Sequence, residues 1–408
     1  MQINARQAAL TAFVEWEDTS RFASDILSDI ATKHDLSSAD RALTQEILFG
    51  TIRNLFLVDE VIDRLRKGRI KQQTQNLLRI GIFQLLKTNI AEHAAINETV
   101  NLARKHERGL VNAILRSAQR QRTELESEMA TWPLEDRFSH PQFFIDRWTA
   151  EHGEEAAEAL CEWNNRPPDV YARINSLAPD KDALNRVRAE TQPCLLGEEY
   201  PDFSKIDGPP NFDWIREGLI YIQDPSTSLA CRLLDPKPGE TVLDACAAPG
   251  GKTALLSGMM NGEGSIIATD SSAPRLEQMR GNLDRLHVTN VETKEVDWSA
   301  ADDDLPNFDA ILLDVPCSNT GVMRRRVDVR WRLQPGDWVR QAEVQTRLIK
   351  SVASKLAPGG RLVYSTCSLD REENEAVIES SGLTIDKVVR HLPWQDGVDG
   401  AFAALLKA

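Results

Sequence analysis

The stretch TVLDACAAPGGKTA, residues 241–254, carries the clearest fold signal in the chain. β-Branched and apolar residues lead into a Pro-Gly-Gly turn, and helix-forming residues follow, which predicts a strand, a tight turn and a helix. A phosphate-binding P-loop is excluded, because Cys246 occupies the position where that loop needs glycine. The dinucleotide fingerprint is excluded as well, since the only glycines of the turn are the adjacent Gly250 and Gly251.

From residue 223 onward, short apolar runs alternate with helical stretches. The runs read ETVLDAC, GSIIATD, FDAILLD and RLVYSTC. This alternation predicts a doubly wound parallel sheet, and therefore an α/β Rossmann-like domain over residues 223–408. Ligands of such sheets bind at the carboxyl ends of the strands, so we expect four side chains to be exposed there: Asp244, Asp270, Asp314 and Cys367.

The rest of the chain has a different pattern. Residues 1–125 carry apolar residues at spacings of three and four, which predicts an all-α bundle. The Pro and polar content of TWPLEDRFSHP predicts a linker at residues 126–141. Residues 142–222 combine helical patterns with the short strand patterns YARINSL and GLIYIQD, which predicts a small α+β subdomain. We therefore expect a multidomain protein.

Composition excludes several classes of protein. Charged residues make up 27% of the 408, and no apolar run reaches the roughly 18 residues of a membrane helix. The opening MQINARQAAL is too polar for a signal peptide, so we expect a cytoplasmic protein without membrane contact. The six cysteines occur singly, without the C-x-x-C pairs of zinc sites, which predicts free thiols and no metal.

The net charge of −14 is unevenly distributed. Residues 1–125 hold 18 lysines and arginines against 15 aspartates and glutamates, or +3, which leaves −17 for the remainder. The two parts of the chain therefore face partners of different charge. A basic cluster in the N-terminal part is either a phosphate-binding surface or a solvated helix end; it comprises Arg64, Arg66, Lys67, Arg69 and Lys71.

The Pro-Gly-Gly turn and the acidic residues that follow it predict a nucleoside ligand. A strand that enters a tight turn and then a helix brings backbone N–H groups close to a ligand. Asp270, twenty residues after Gly250, is placed to accept from two ribose hydroxyls. Asp297, after the third expected strand, can accept from an adenine amino group. Adenosine with a methionine tail fits this pattern.

Three motifs together resemble the Sun family of RNA cytosine-C5 methyltransferases, which use S-adenosylmethionine: LDACAAPGGKT, LLDVPCSNTGV and VYSTCS. QDPSTSLA, RRRVDVRW and EENE extend the resemblance through the C-terminal half. The helical region, with DRALTQEILFG, LLRIGIFQL, INETVNLAR and VNAILR, resembles the NusB RNA-binding fold. This pairing is similar to the bacterial Sun/RsmB type. The resemblance implies methylation of a 16S rRNA cytosine, conventionally cytosine 967, by a monomeric enzyme with 16S rRNA as partner.

The resemblance also implies roles for individual residues. Carbon 5 of cytosine is a weak nucleophile, so a thiolate must first add at carbon 6. DNA methyltransferases attack from a Pro-Cys motif, so the residues alone leave Cys317 in contention as nucleophile. By the family pattern Cys367 is the nucleophile, Cys317 assists elimination and Asp314 braces the cytosine. The cofactor-binding residues implied are Cys246, Ala247, Ala248, Pro249, Gly250, Gly251, Lys252, Asp270, Asp297 and Asp314.

Some residues depart from the family pattern, and two other functions stay open. Val315, Val327 and the terminal motif around Phe402 differ at positions that we connect with base stacking. Among the arginines of RRRVDVR we expect at least one phosphate contact. One alternative is a NusB-like RNA-binding or antitermination protein with an inactive methyltransferase half. The other is an amino-methyltransferase, although the aromatic residue of its usual N/D-P-P loop is missing.

Overall fold

The structure, a computed structural model, describes residues 3–194, 200–300 and 305–408. The chain forms two compact units. One comprises Met1–Arg166 together with Met323–Arg332, and the other comprises Pro167–Val322 together with Leu333–Ala408. No helix in the described ranges has the length and apolar character needed to cross a membrane.

The first unit is helical. Its helices are α1 (Ala5–Asp18), α2 (Ala23–Lys33), α3 (Ser38–Arg53), α4 (Leu55–Leu65), α5 (Gln72–Lys87), α6 (Glu92–Leu102), α7 (Arg108–Arg120), α8 (Arg122–Met129), α9 (Leu134–Phe138), α10 (Gln142–His152) and α11 (Glu154–Asn165). The expected apolar spacing produces their buried faces, as in α7, where Val111, Ile114, Leu115 and Ala118 are buried. The prediction of an all-α N-terminal region is confirmed.

The segment predicted as a linker, 126–141, departs from that expectation because it contains the end of α8 and all of α9. Met129 and Trp132 lie in the hydrophobic core of the bundle. Ser139 is fully buried, and its hydroxyl accepts a hydrogen bond from Leu57 N at 3.0 Å. Helices α10 and α11 also belong to the first unit, although the sequence assigned them to the small subdomain.

The second unit begins with a small antiparallel sheet, as expected for an α+β subdomain. Its elements are β1 (Val170–Ile174), α12 (Lys181–Glu190), β2 (Gln192–Pro193), β3 (Phe203–Ile206), α13 (Phe212–Arg216) and β4 (Ile220–Ile222). In the described residues the strand order is β2-β3-β1-β4. Ala172, Ile174, Leu184 and Ile220 are part of its core.

The remaining elements are a 3₁₀ turn (Pro225–Ser228), α14 (Leu229–Leu234), β5 (Thr241–Ala245), α15 (Gly251–Met259), β6 (Ser265–Asp270), α16 (Ala273–Arg285), β7 (Val291–Glu295), β8 (Phe308–Asp314), a second 3₁₀ turn (Thr320–Val322), α17 (Val329–Arg332), α18 (Asp337–Ala353), β9 (Leu356–Thr366), α19 (Glu375–Glu379), β10 (Thr384–His391), α20 (Pro393–Asp396) and β11 (Ala401–Lys407). Of these, α17 lies in the first unit.

The large sheet has the order β10-β11-β9-β8-β5-β6-β7 within the described residues. Strands β5 to β9 are parallel, whereas β10 and β11 are antiparallel. The inner parallel strands β5, β6 and β8 are buried on both faces, which explains why their sequences are nearly continuous apolar runs. The edge strand β7, VETKE, has no buried residue and is mostly polar. The predicted Rossmann-like domain is confirmed, with an antiparallel edge that the alternating pattern did not predict.

The arginine-rich segment Met323–Arg332 folds within the helical unit. Arg324 and Arg330 are buried, with exposed fractions of 2% and 0%. Arg330 donates to Asn164 O at 3.0 Å and to the side chain of Asn165 at 2.7 Å. Burial lowers the pKa of Arg330 to about 9. Arg330 is not the phosphate ligand in this segment, because backbone carbonyls and a side-chain amide already accept its hydrogen bonds. At least one phosphate contact among the arginines of the segment stays a prediction.

Candidate active site

The carboxyl ends of the five parallel strands meet at one edge of the large sheet. In spatial order these strands are β9, β8, β5, β6 and β7. The register pairs Asp314 with Ser365 and Asp270 with Glu295, so the residues that follow each strand lie side by side. The sheet thus brings together the predicted site residues Cys367, Asp314, Cys246, Asp270 and Asp297 at the edge where ligands of parallel sheets bind.

The turn between β5 and α15 requires its two glycines. Gly250 has φ +95°, a left-handed conformation that side chains rarely adopt, and a Cβ there would lie 2.9 Å from Met279 Cγ. A Cβ at Gly251 would lie 2.8 Å from the ring of Tyr221. The turn can therefore pack against Met279 and Tyr221 only because neither glycine carries a Cβ atom.

Two arginines that the sequence did not single out hold the backbone of the same turn. Arg173, on β1, donates to Gly251 O at 3.1 Å. Arg275, on α16, donates to Ala248 O at 2.6 Å. Their sequence context is ordinary, so only the tertiary structure identifies them. They keep the turn in place at the mouth of the site.

Asp270 fits the nucleoside role predicted from its position. Its Oδ2 is buried and accepts no hydrogen bond from the described residues. Arg275 Nη1 lies 3.1 Å from that oxygen, as an ion pair without hydrogen-bond geometry. An acceptor therefore remains for a ribose hydroxyl. Asp297 is exposed beyond β7 and accepts from Ser299 N at 2.9 Å, and that hydrogen-bonding to Ser299 lowers its pKa. These observations agree with a bound adenosine group.

Asp244 is not exposed, contrary to the prediction from its place in the strand. Its exposed fraction is 0%, and its Oδ2 accepts from Thr253 Oγ1 at 2.6 Å. Burial raises the pKa of the Asp244 carboxyl to about 7. The residue lies one position before the end of β5, so its side chain points between the layers, which the sequence pattern alone could not distinguish.

Lys252 and Asp314 form an ion pair at the centre of the edge, with 2.7 Å between Nζ and Oδ2. Burial by itself would lower the pKa of the Lys252 ammonium, but the Asp314 carboxylate outweighs it and the pKa is raised. Cys367 is also close enough to influence this ammonium. Lys252 is therefore a cation beside Cys367. The contact of Lys252 with cofactor or substrate stays a prediction.

The two candidate catalytic cysteines, fifty residues apart in sequence, are neighbours in space. Their Sγ atoms are 3.2 Å apart, and neither residue is fully buried. The hydrogen bond with Cys367, together with burial, raises the pKa of the Cys317 thiol well above its ordinary value. Burial raises the pKa of the third site cysteine, Cys246, to about 12, so that thiol is inert at neutral pH.

A buried carboxyl holds the two cysteine-bearing loops together. Glu373, in the EENE motif, has an exposed fraction of 0% and accepts from Ser318 N at 2.9 Å and from Gln345 Nε2 at 3.0 Å. Burial raises the pKa of Glu373 to about 7. The neighbouring Asn374 accepts from Thr366 Oγ1 at 2.6 Å. The motif was visible in the sequence, but only the structure shows what its members contact.

The three departures from the family pattern lie in hydrophobic cores. Val315 and Phe402 are buried in the core of the large sheet. Val327 packs among helices of the first unit. All three contact other protein side chains, and any influence of these departures on the stacking of a flipped base stays a prediction.

Protein-family models match most of the chain. Residues 231–385 match a family described as 16S rRNA methyltransferase RsmB/F, residues 3–120 match the NusB family, and residues 140–192 match an RsmF/B-like ferredoxin-like domain. No group of three potential metal ligands occurs in the described residues.

Full-length relatives are also similar. The probable ribosomal RNA small subunit methyltransferase B of Bacillus subtilis (strain 168) is 33% identical over 92% of this chain and 88% of its own length. The ribosomal RNA small subunit methyltransferase B of Cronobacter sakazakii is 32% identical over 99% and 98%. The crystal structure of a methyltransferase homolog protein from Pyrococcus horikoshii is 31% identical, covers 67% of this chain and 98% of its own, and has a TM-score of 0.59.

The mostly parallel sheet, the glycine turn at its carboxyl edge and these matches define an S-adenosylmethionine-dependent methyltransferase. More specifically, the chain belongs to the RsmB/F family of 16S rRNA methyltransferases, with an N-terminal NusB-like domain.

Proposed function

We propose that this protein methylates carbon 5 of one cytosine in 16S rRNA, conventionally cytosine 967, through a covalent adduct between Cys367 and carbon 6. The observation that carries the proposal is the 3.2 Å contact between the Cys317 and Cys367 sulfurs beside the Lys252–Asp314 pair. Two thiols at the ligand-binding edge are needed to form and to break such an adduct. An RNA-binding protein with an inactive methyltransferase half has no need for this geometry.

In the first step the Cys367 thiolate adds to carbon 6, forming an S–C bond while the C5–C6 π electrons move to carbon 5. When bound, S-adenosylmethionine would supply the methyl group that carbon 5 accepts, and its sulfur would keep the electron pair of the broken S–CH₃ bond. Loss of the C5 proton to solvent returns the electrons to the ring, and the S–C6 bond breaks to release the thiolate. Cys317, protonated because its pKa is raised, donates its hydrogen bond to the departing sulfur.

Asp314 and Lys252 orient the base in this proposal. Asp314 accepts from the amino group at the cytosine edge, while the hydrogen bond from Lys252 holds that carboxylate in place. The cofactor is held by the turn Cys246–Lys252, with Asp270 on the ribose and Asp297 near the adenine. Because Asp314 lies between the turn and the cysteines, it contacts both ligands.

The helical domain, residues 1–125, serves as the RNA-binding part and the enzyme acts as a cytoplasmic monomer in this proposal. The loop between α4 and α5 carries Arg66, Lys67, Arg69 and Lys71, all exposed. Within the described part of the chain, no acidic side chain forms an ion pair with any of the four. Arg64 is different, because it pairs with Glu60 and Glu128 at 2.8 Å each. Free cations of this kind bind phosphate.

Bisulfite mapping tests the proposal. Purified protein, S-adenosylmethionine and unmodified 16S rRNA are incubated, and bisulfite-resistant cytosines are located. We expect one resistant cytosine, and we expect the same cytosine to become sensitive in cells that lack the gene. Methyl incorporation elsewhere than carbon 5 would overturn the reaction assigned, and a resistant cytosine at another position would overturn only the target.

A further inference from the structure

Two buried side chains hold the backbone on either side of Cys317. Gln345, on α18, donates through Nε2 to Pro316 O at 3.0 Å. Glu373 accepts from Ser318 N through Oε2 at 2.9 Å. Both side chains have an exposed fraction of 0%. The residues before and after Cys317 are therefore fixed by groups from other parts of the fold.

These two side chains also connect the loop of Cys317 to the strand that leads to Cys367. Gln345 Nε2 donates to Glu373 Oε2 at 3.0 Å. The backbone of Glu373 is tied to β9, because the Tyr364 hydroxyl donates to Glu373 O at 2.6 Å. β9 ends one residue before Cys367. A continuous set of hydrogen bonds thus joins the backbone that carries one cysteine to the backbone that carries the other.

The amide of Gln345 leaves one of its own atoms without a partner. Pro316 O can only accept a hydrogen bond, so the NH₂ group of Gln345 must face it. The Oε1 atom is then buried and accepts no hydrogen bond from the described residues. A buried acceptor of this kind destabilises the folded chain. Such a feature is expected where a residue serves a functional site and not the stability of the core.

We propose that Gln345 and Glu373 are positioning residues that hold the Cys317 thiol against the Cys367 sulfur during product release, an inference that rests on the proposed function. In this step the C5–H bond electrons form the ring double bond and the C5 proton goes to solvent. The electron pair of the S–C6 bond returns to the Cys367 sulfur. Cys317 stabilises that thiolate only from hydrogen-bond distance, and the sulfurs lie 3.2 Å apart at rest. A displaced Cys317 would leave the methylated base attached to Cys367.

The test measures how fast the covalent protein–RNA complex decays. Full-length protein is incubated with 16S rRNA and methyl-labelled S-adenosylmethionine, and unlabelled cofactor is then added in excess. After ribonuclease treatment, the label that remains on the protein is followed by denaturing electrophoresis. Gln345→Met keeps the length of the side chain and removes both donated hydrogen bonds. We expect the complex to accumulate and to decay roughly ten- to a hundredfold more slowly than in wild type, the effect of a misplacement of about 1 Å.

Matched variants separate positioning from a general loss of stability. Gln84→Met makes the same change at a glutamine of the helical unit that also has an exposed fraction of 0%, and its complex should decay as in wild type. Glu373→Met removes the acceptor and should slow decay. Glu373→Gln places a carbonyl oxygen where Oε2 accepts both hydrogen bonds and should decay nearly as fast as wild type. A variant that does not fold forms no complex, and the other Met variant then decides.

Cys317→Ala distinguishes failure of this proposal from failure of the proposed function. If Cys317→Ala accumulates the complex while Gln345→Met and Glu373→Met release product at the wild-type rate, the two side chains do not position Cys317 and the proposal is overturned. Equally slow decay in Glu373→Gln and Glu373→Met would overturn it too, because the hydrogen bonds would then be irrelevant. If Cys317→Ala accumulates no complex, the release step assigned to Cys317 is wrong, and the positioning role is wrong with it.

Discussion

Lys252 Nζ lies 2.7 Å from Asp314 Oδ2, although one residue begins a helix and the other ends a strand 62 residues later. Each side chain is less than one-third exposed, with fractions of 19% and 30%. The pair therefore exchanges part of its hydration for a direct contact, and removal of either charge leaves the other in a poorly solvated position.

Asp314→Asn should reduce methyl transfer by roughly a hundredfold, because the cytosine loses an ionised acceptor and the Lys252 ammonium loses its partner. We expect the free energy of unfolding to fall by only about 1–3 kcal/mol, since the pair is partly exposed. Methyl incorporation and urea denaturation measure the two effects. Glu240→Gln is the matched control, because it breaks the similarly exposed Arg361–Glu240 pair at the other end of the strands. Equal losses of activity in both variants would show that ion pairs matter here only for folding.

Cys367→Ala should bind S-adenosylmethionine normally and form no methylcytosine, because carbon 5 is never activated without the adduct. Isothermal titration with the cofactor and bisulfite mapping of the RNA give the two readouts. Cys161→Ala, which removes a buried free thiol in the helical unit, serves as the control and should stay active. Near-normal turnover of Cys367→Ala, with complete inactivity of Cys317→Ala, would reverse the assignment of the nucleophile.

Cys317→Ala should accumulate a covalent protein–RNA complex, because methylation proceeds while release of the Cys367 sulfur stalls. Denaturing electrophoresis detects the complex as a slow band that ribonuclease removes. The double variant with Cys367→Ala should give no such band, which identifies the attached sulfur. If Cys317→Ala released product at the normal rate without any complex, Cys317 would have no part in the mechanism.

Replacing Arg66, Lys67, Arg69 and Lys71 with glutamine should weaken rRNA binding and flatten its salt dependence. The slope of log affinity against log salt should fall by about 0.7 for each lost contact with single-stranded RNA, or about 0.9 for duplex. Filter binding over a range of salt concentrations provides the slope. Arg64→Gln is the control within the same cluster, because Glu60 and Glu128 already neutralise Arg64. An unchanged slope in the quadruple variant would show that this loop is exposed to solvent and does not contact RNA phosphates.

Glu373→Gln should alter the pH dependence of stability. Burial, with a smaller contribution from the nearby Asp370, raises the pKa of Glu373 from 4.5 to about 7. Cys317 and Tyr364 are titratable groups near this carboxyl. A raised pKa in the folded state stabilises the protein fully below the unfolded pKa, and that contribution is lost as pH rises through the folded pKa.

The wild-type protein should therefore lose stability relative to Glu373→Gln between pH 4.5 and about 7, by at most about 1.4 kcal/mol per pH unit. Urea denaturation at several pH values in this window measures the difference. Glu379→Gln, an exposed position on the adjacent α19, should show a constant difference from wild type. A constant difference for Glu373→Gln as well would mean that its carboxyl titrates normally.

The sequence predicted those parts of the site that follow from the positions of the strands. The strand ends carrying Asp270, Asp314 and Cys367 follow from alternating apolar runs, and parallel order brings them to one edge. Which side of the sheet a side chain takes at a strand end is less predictable, and Asp244 is buried for that reason. Arg173 reaches the glycine turn from the small subdomain, a contact between elements that no local pattern encodes.

The charge pattern was informative only where side chains lack partners. The loop from Arg66 to Lys71 is exposed as expected. Arg330 looked equivalent in sequence, yet it lies among backbone carbonyls. A count of charges cannot distinguish an arginine that binds phosphate from one that donates hydrogen bonds inside the protein. The distinction depends on which acceptors lie near the guanidinium in the folded chain.

Because Met323–Arg332 is part of the helical unit, that unit is discontinuous along the gene. A shortened protein beginning at Pro167 would still contain this segment, with Val327 deprived of its apolar surroundings and Arg330 of its acceptors. Such a fragment would expose apolar surface to other protein molecules and would tend to aggregate. If this fragment were inactive, the cause would be its misfolding and not the loss of an RNA-binding domain. The role of the NusB-like domain in RNA binding is therefore better tested by surface substitutions in the full-length protein.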